Sequence, residues 1–220
     1  MSEFIVHNIP GSPYGRAVLM TLEEKGAAYH VAAVRPSTLR SPEHLARHPF
    51  GRVPVLEHAD FRLFETQAIL RYLERLLPQP ALTPQDTRAA ARMDQLMNVN
   101  DWYLFQGVSS VIGFHRVVAP RLFGTAQADE AAIAAAMPKA HRVIAALAAE
   151  LDTQPFFAGA TPTLADMLLA PQLDFLQQTP EWQPLTRHHA NLPRWLECMQ
   201  SRSCMVRTTW DRVAAMACAA

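Results

Sequence analysis

Lysine, cysteine and net charge are all scarce in this sequence. Lys25 and Lys139 are the only lysines, and the remaining basic residues are arginines that, with them, balance the acids to a formal charge of zero. No basic stripe follows any expected helix, so nucleic acid is not an expected partner. The cysteines are Cys198, Cys204 and Cys218, all near the C-terminus. An odd number at those spacings argues against a disulfide framework and leaves free, partly buried thiols. Neither they nor the nine histidines show ligand spacing, so no metal is expected. No apolar run appears long enough to span a bilayer, and no basic segment leads an apolar one at the N-terminus. A cytoplasmic protein with no membrane partner is therefore expected. Half the residues are hydrophobic, which argues against disorder, and 220 residues can bury one large core or two modest ones.

A more local lack is informative. Residues 12–16 read SPYGR at what looks like a strand-to-helix turn. Cys-Pro-Tyr-Cys there would mark a dithiol redox protein, but Ser12 and Gly15 stand where the two cysteines would be. Around it the chain alternates: a strand over Glu3–Ile9, a helix closing at Gly26, a second strand in AYHVAAV, a helix entered at Ser41–Pro42, a β-hairpin turning at His58–Asp60, and a helix over Thr66–Leu77. The prolines of LPQPALTPQD then mark a linker, Pro78–Pro84. Beyond it the pattern is helical, roughly 85–117, 126–151, 163–177, 191–201 and 203–217. The expected architecture is an α/β domain of βαβ–ββα order over 1–77, a linker over 78–84, and an all-helical domain over 85–220.

Four short motifs bear on chemistry. Ser12 before Pro13 makes a good helix cap and first helical residue. The same geometry offers an anion a hydroxyl and the positive end of a helix, which can lower a thiol's pKa from about 8.5 to as little as about 3.5. Val53–Pro54 reads as an ordinary extended trans dipeptide, or as a cis proline that leaves the Val53 backbone open to a ligand. Glu65 and Thr66, where a strand meets a helix, serve as a plain cap or as a pair for the ammonium and carboxylate of an amino-acid end. Thr163 and Asp166 have capping-box spacing and read as structural.

In their order, SPYGRAV, SPEHLARHPFGRVPVL, FETQAILRYLE and GATPTLADMLLAPQL make the chain resemble a cytosolic glutathione S-transferase of the serine type, phi- or theta-like, over essentially its whole length. The resemblance implies a thioredoxin-like N-terminal domain and a helical C-terminal domain with a hydrophobic co-substrate pocket. It implies that Ser12 donates to the glutathione sulfur, that Val53 before cis Pro54 pairs with the cysteinyl part, that Glu65 and Thr66 hold the γ-glutamyl end, that Arg40 serves near the glycyl carboxylate, and that Arg52, beside Val53, is a further glutathione contact. Leu39 and His48 depart from the family pattern. Tyr14, Phe105, Ser109 and His115 are candidates for an electrophile pocket, the last three by helical placement, though aromatics so spaced also fill cores. Glutathione is then a co-substrate, with no permanently bound cofactor, and a homodimer is implied, with Phe50 a residue that could enter the partner. Conjugation to a hydrophobic electrophile is the expected reaction. Glutathione-dependent peroxidase or disulfide reductase chemistry, and a non-catalytic binding module, are the alternatives.

Overall fold

The computed structural model describes residues 3–125 and 127–219, and the chain divides into two compact units: 1–82 with 200–220, and 83–199.

In the first unit, β1 (Phe4–Asn8) alternates buried and half-buried residues and pairs in parallel with β2 (Tyr29–Ala33), Phe4 opposite Tyr29. The parallel pairing requires a crossover, which α1 (Pro13–Glu24) supplies. Val18, Leu19 and Leu22 on α1 are fully buried, each contributing roughly 2 kcal/mol of apolar transfer. The helix ends in a left-handed glycine: Gly26 has φ +61°, and Ala27 N–H reaches back to Leu22 O at 3.0 Å. After the short α2 (Pro42–Arg47), β3 (Val55–His58) runs antiparallel to β1, and β4 (Phe61–Phe64) antiparallel to β3. The sheet order is therefore β2–β1–β3–β4, followed by α3 (Thr66–Leu76). This is the expected βαβ–ββα arrangement on a mixed thioredoxin-like sheet.

The second unit is helical: α4 (Thr87–Val99), a wide π-type segment Asn100–Val118, α5 (Ala119–Phe123), α6 (Glu130–Leu151), α7 (Leu164–Gln177), α8 (Trp182–Thr186) and α9 (Asn191–Gln200). The single helix expected over 85–117 is interrupted, because Gln106 has ψ 109° and Gly107 has φ +77°, neither helical. Lys139 on α6 donates to the freed Gln106 carbonyl, and Gly107 N–H finds the Ser110 hydroxyl at 3.0 Å. By length and composition alone α6 would pass for a membrane-crossing helix, a test that core helices also pass. Its Ile133, Ala140, Val143, Ile144 and Leu147 are instead spent on the core of this unit. Asp166 closes the capping box at the start of α7 and is wholly buried.

The segment expected as one helix over 203–217 is two, α10 (Ser203–Arg207) and α11 (Trp210–Ala219), and both group with the first unit rather than the second.

Candidate functional site

The turn that leads from β1 into α1 is fixed by backbone chemistry. Ser12 N–H donates to Ile9 O at 2.9 Å across Pro10–Gly11, and Gly11 has φ +88°. A positive-φ glycine third is what a type II turn requires, and proline second is common in one. Ser12 then stands at the cap of α1 with extended backbone (φ −73°, ψ 116°), and Pro13 opens the helix. The Ser12 hydroxyl oxygen accepts from Gly15 N–H at 3.1 Å. Its own proton is donated to no described residue. No acidic side chain occupies the first turn, so nothing on α1 neutralises the positive end of the helix.

Gly15 answers the question raised by the missing cysteines. A Cβ placed there would meet the Asn8 side chain at 1.9–2.5 Å, and Asn8 is itself buried at 1% exposure. Position 15 therefore has no room for a cysteine while Asn8 holds that place.

The Val53–Pro54 peptide is cis. Pairing of β3 with β1 ends at His7 opposite Val55, and Val53 makes no hydrogen bond to any described residue. The chain entering this point is held by buried His44, whose Nε2 lies 2.9 Å from Arg52 O. Just before it, Gly51 has φ +61°, and a Cβ there would stand 2.7 Å from Leu39 O and 3.3 Å from the Arg40 side chain. Arg40 thus lies beside the Gly51–Arg52 turn. Both arginine side chains are exposed and their guanidinium groups can meet a ligand carboxylate.

Glu65 is a backbone outlier, with φ 70° and ψ 113°, at the junction of β4 and α3. A non-glycine residue in such a conformation costs about 1–3 kcal/mol and is characteristic of functional junctions. The distortion leaves Glu65 exposed, buries Thr66 as the first residue of α3, and provides no side-chain cap from Glu65. His48 ties this junction to the Val53 segment. It is buried, 4.8 Å from the Phe64 ring centroid, and accepts Phe50 N–H at its Nδ1. Burial lowers its pKa, against the pull of the nearby Glu65 charge, which raises it. Ser12, Val53, Pro54, Glu65, Thr66, Arg40 and Arg52 all belong to the first unit, at or near the ends of its strands and helices.

The electrophile candidates are placed differently. Tyr14 is a half-buried residue in the first turn of α1. Phe105, Ser109 and His115 lie in the second unit, and the helical spacing that linked them is broken, since Gln106 and Gly107 separate Phe105 from the other two. Ser109 is buried with its hydroxyl unpartnered among the described residues, and His115 packs edge-on against Phe114. Asn8 and Trp210, which abut Gly15 and Gly11, escaped the sequence reading. A polar residue ending a strand hints at Asn8, whereas no local signal places Trp210 against a turn some two hundred positions earlier.

Residues 2–75 match the N-terminal domain of glutathione S-transferases, and residues 111–203 match their C-terminal domain. Glutathione S-transferase 4 of Zea mays is 32% identical over 158 residues, covering 71% of this chain and 70% of its own. The chain belongs to the glutathione S-transferase family. Glutathione S-transferase F12 of Arabidopsis thaliana is 28% identical over 189 residues, 84% of this chain and 87% of that one. Among solved structures, a theta-class glutathione S-transferase from Xanthomonas axonopodis pv. citri, with glutathione bound, superposes with a TM-score of 0.81 at 26% identity, covering 95% and 98% of the two chains. F-type plant enzymes and a theta-class structure agree with the phi- or theta-like resemblance. The transferase uses glutathione as co-substrate.

Proposed function

We propose that this transferase ionises glutathione at Ser12 and directs its sulfur onto a hydrophobic electrophile. The reading is carried by the Ser12 hydroxyl, which already accepts from Gly15 N–H while its own proton is left to give. Cap and thiolate donor are thus compatible roles of one group, because accepting the Gly15 bond polarises the O–H and makes it a stronger donor. A depression of two pKa units needs about 2.7 kcal/mol of preference for the thiolate. A charge-assisted hydrogen bond together with an unneutralised helix end is of that size. The thiol proton leaves to solvent. The sulfur then bonds to the electrophilic carbon as the leaving group departs, with no covalent bond to the protein.

The rest of the tripeptide follows from the groups left open. The unpaired Val53 backbone suits the cysteinyl amide as an added strand would. Arg40 and Arg52 suit the glycyl carboxylate. The exposed Glu65 carboxylate suits the α-ammonium, and Thr66 with the start of α3 suits the α-carboxylate. Tyr14, Phe105, Ser109 and His115 remain candidate contacts for the co-substrate. A homodimer completes the proposal, with exposed Phe50, packed edge-on against Phe64, as its aromatic contact.

Ser12→Ala tests the central step. As a cap alone, the hydroxyl is worth about 1 kcal/mol of stability and little turnover. As the thiolate donor, its loss raises the pKa of bound glutathione and cuts turnover on the order of 10²-fold. A titration of thiolate absorbance that is unmoved in the variant refutes the role. Aryl halides, hydroperoxides and disulfides assayed side by side separate conjugation from the peroxidase and reductase alternatives.

A further inference from the structure

Residues 200–219 form a strap along α1. At the C-terminal end of that helix, Arg202 grips Glu24 with two hydrogen bonds, 2.9 and 2.7 Å. In its first turn, buried Arg16 donates to Met205 O at 3.1 Å. Ahead of its N-terminus, the indole of Trp210 stands directly on Gly11, where an added Cβ would meet three ring carbons at 1.9–2.4 Å. Between these points α10 packs against α1, and α11 packs against β2.

The Trp210 contact falls on a sensitive spot. Gly11 is the third residue of the turn whose fourth is Ser12; without a Cβ it reaches its positive φ and has the widest backbone freedom in that turn. One hydrogen bond, Ser12 N–H to Ile9 O, closes the turn from within. The indole closes it from outside by covering the glycine. A hydrogen bond to sulfur weakens steeply as its angle falls, and catalytic groups tolerate only about 0.5 Å of displacement.

We infer that the segment Gln200–Ala219 positions the nucleophile-activating serine, with Trp210 as the positioning residue that fixes the Pro10–Gly11 turn and thereby the direction of the Ser12 hydroxyl. This rests on the reading of Ser12 as thiolate donor. Trp210 acts through the turn and need not touch the sulfur.

The test uses the full chain with Trp210→Leu, which keeps an apolar side chain but loses the flat ring, and Trp210→Phe, which keeps a ring. Arg202→Gln loosens the far end of the strap as a second variant. In Trp210→Leu, the amide of Ser12 exchanges with deuterium about tenfold faster. The pKa of bound glutathione rises by about one unit, and kcat falls about tenfold while KM for glutathione stays within about twofold. Trp210→Phe recovers most of each effect, and Arg202→Gln shifts the thiol pKa in the same direction but less. A purely structural strap lowers the melting temperature and leaves the thiol pKa and the Ser12 amide at wild-type values, which overturns the inference. Ser12→Ala measured alongside separates the two claims. If it leaves the thiol pKa unmoved, the serine reading itself fails. If it moves the pKa and Trp210→Leu does not, the strap inference alone falls.

Discussion

Replacing Asp166 by alanine removes the acceptor of four hydrogen bonds at once. One carboxylate oxygen accepts from Phe157 N–H and from the Trp195 indole N–H, each at 2.9 Å. The other accepts from Thr163 N–H at 2.7 Å and from the Thr163 hydroxyl at 2.8 Å. In the variant the hydroxyl's single proton is given wholly to Phe157 O, 3.0 Å away. The two backbone N–H groups and the indole N–H are left buried without that acceptor. At about 1–3 kcal/mol for each unsatisfied group, the loss is on the order of 4 kcal/mol or more. Domains of this size have only about 5–15 kcal/mol in total. The pH dependence has a definite sign. Burial pushes the Asp166 carboxyl up to about 6, against the pull of its four donors. The folded state then holds a proton that the unfolded chain, with an ordinary carboxyl, has released. Stability from this group is therefore full below the ordinary carboxylate range and declines as pH rises through about 6. Alanine does not titrate, so the gap between wild type and variant is about 1 kcal/mol wider at pH 5 than at pH 8. Urea unfolding followed by far-ultraviolet circular dichroism at the two pH values measures it. A loss below about 1 kcal/mol, or a gap that widens toward alkaline pH, refutes the reasoning.

Gly15→Ala forces a methyl into the place of the buried Asn8 amide and destabilises by about 1–3 kcal/mol through overpacking. Combined with Asn8→Ala the cost falls well below the sum of the two single changes, so a double-mutant cycle by chemical denaturation with additive losses shows that the two side chains do not compete for one space. Phe50, 61% exposed, is the proposed dimer contact, and Phe50→Ala weakens self-association by tenfold or more if it is an anchor of the interface; sedimentation velocity that finds the wild type monomeric at micromolar concentration removes the dimer from the proposal.

The features legible in the sequence are those set by neighbours along the chain. The strand alternation of Phe4–Asn8, the Ser12 and Ser41 caps and the Gly26 helix end all follow from residues within about five positions, and each element falls within a residue or two of its expected place. The Thr163–Asp166 box was equally plain. The break at Gln106–Gly107 was harder, since an isolated glycine is tolerated in helices and the contact that accompanies this break comes from Lys139 on another helix. The Trp210 placement on Gly11 was invisible for the same reason: it depends on tertiary packing, and a tryptophan in an amphipathic C-terminal helix looks like any core residue. His48 appeared in the sequence only as a departure from the family pattern. Its work, joining the Phe50 and Phe64 rings beside Glu65, shows only once the β4–α3 junction is brought against the segment before β3.

The sites of these residues also decide what kind of thiol chemistry the turn can support. A dithiol mechanism needs a second sulfur one helical turn from the first, and the space at position 15 is filled by Asn8. A cysteine at position 12 alone would leave a mixed disulfide to be resolved by another thiol. The chain's own candidate in the strap is unsuited to that: Cys204 is buried, and burial together with its hydrogen bond to Glu24 pushes its pKa up to about 12, so it stays protonated at neutral pH and is a poor nucleophile. With a serine at position 12 the same turn has a different use. Its hydroxyl has a proton that no described residue accepts, and its helix end favours an anion. On the proposed reading a ligand brings the sulfur, and attack by that bound thiolate, rather than exchange between protein thiols, is the chemistry the turn would favour.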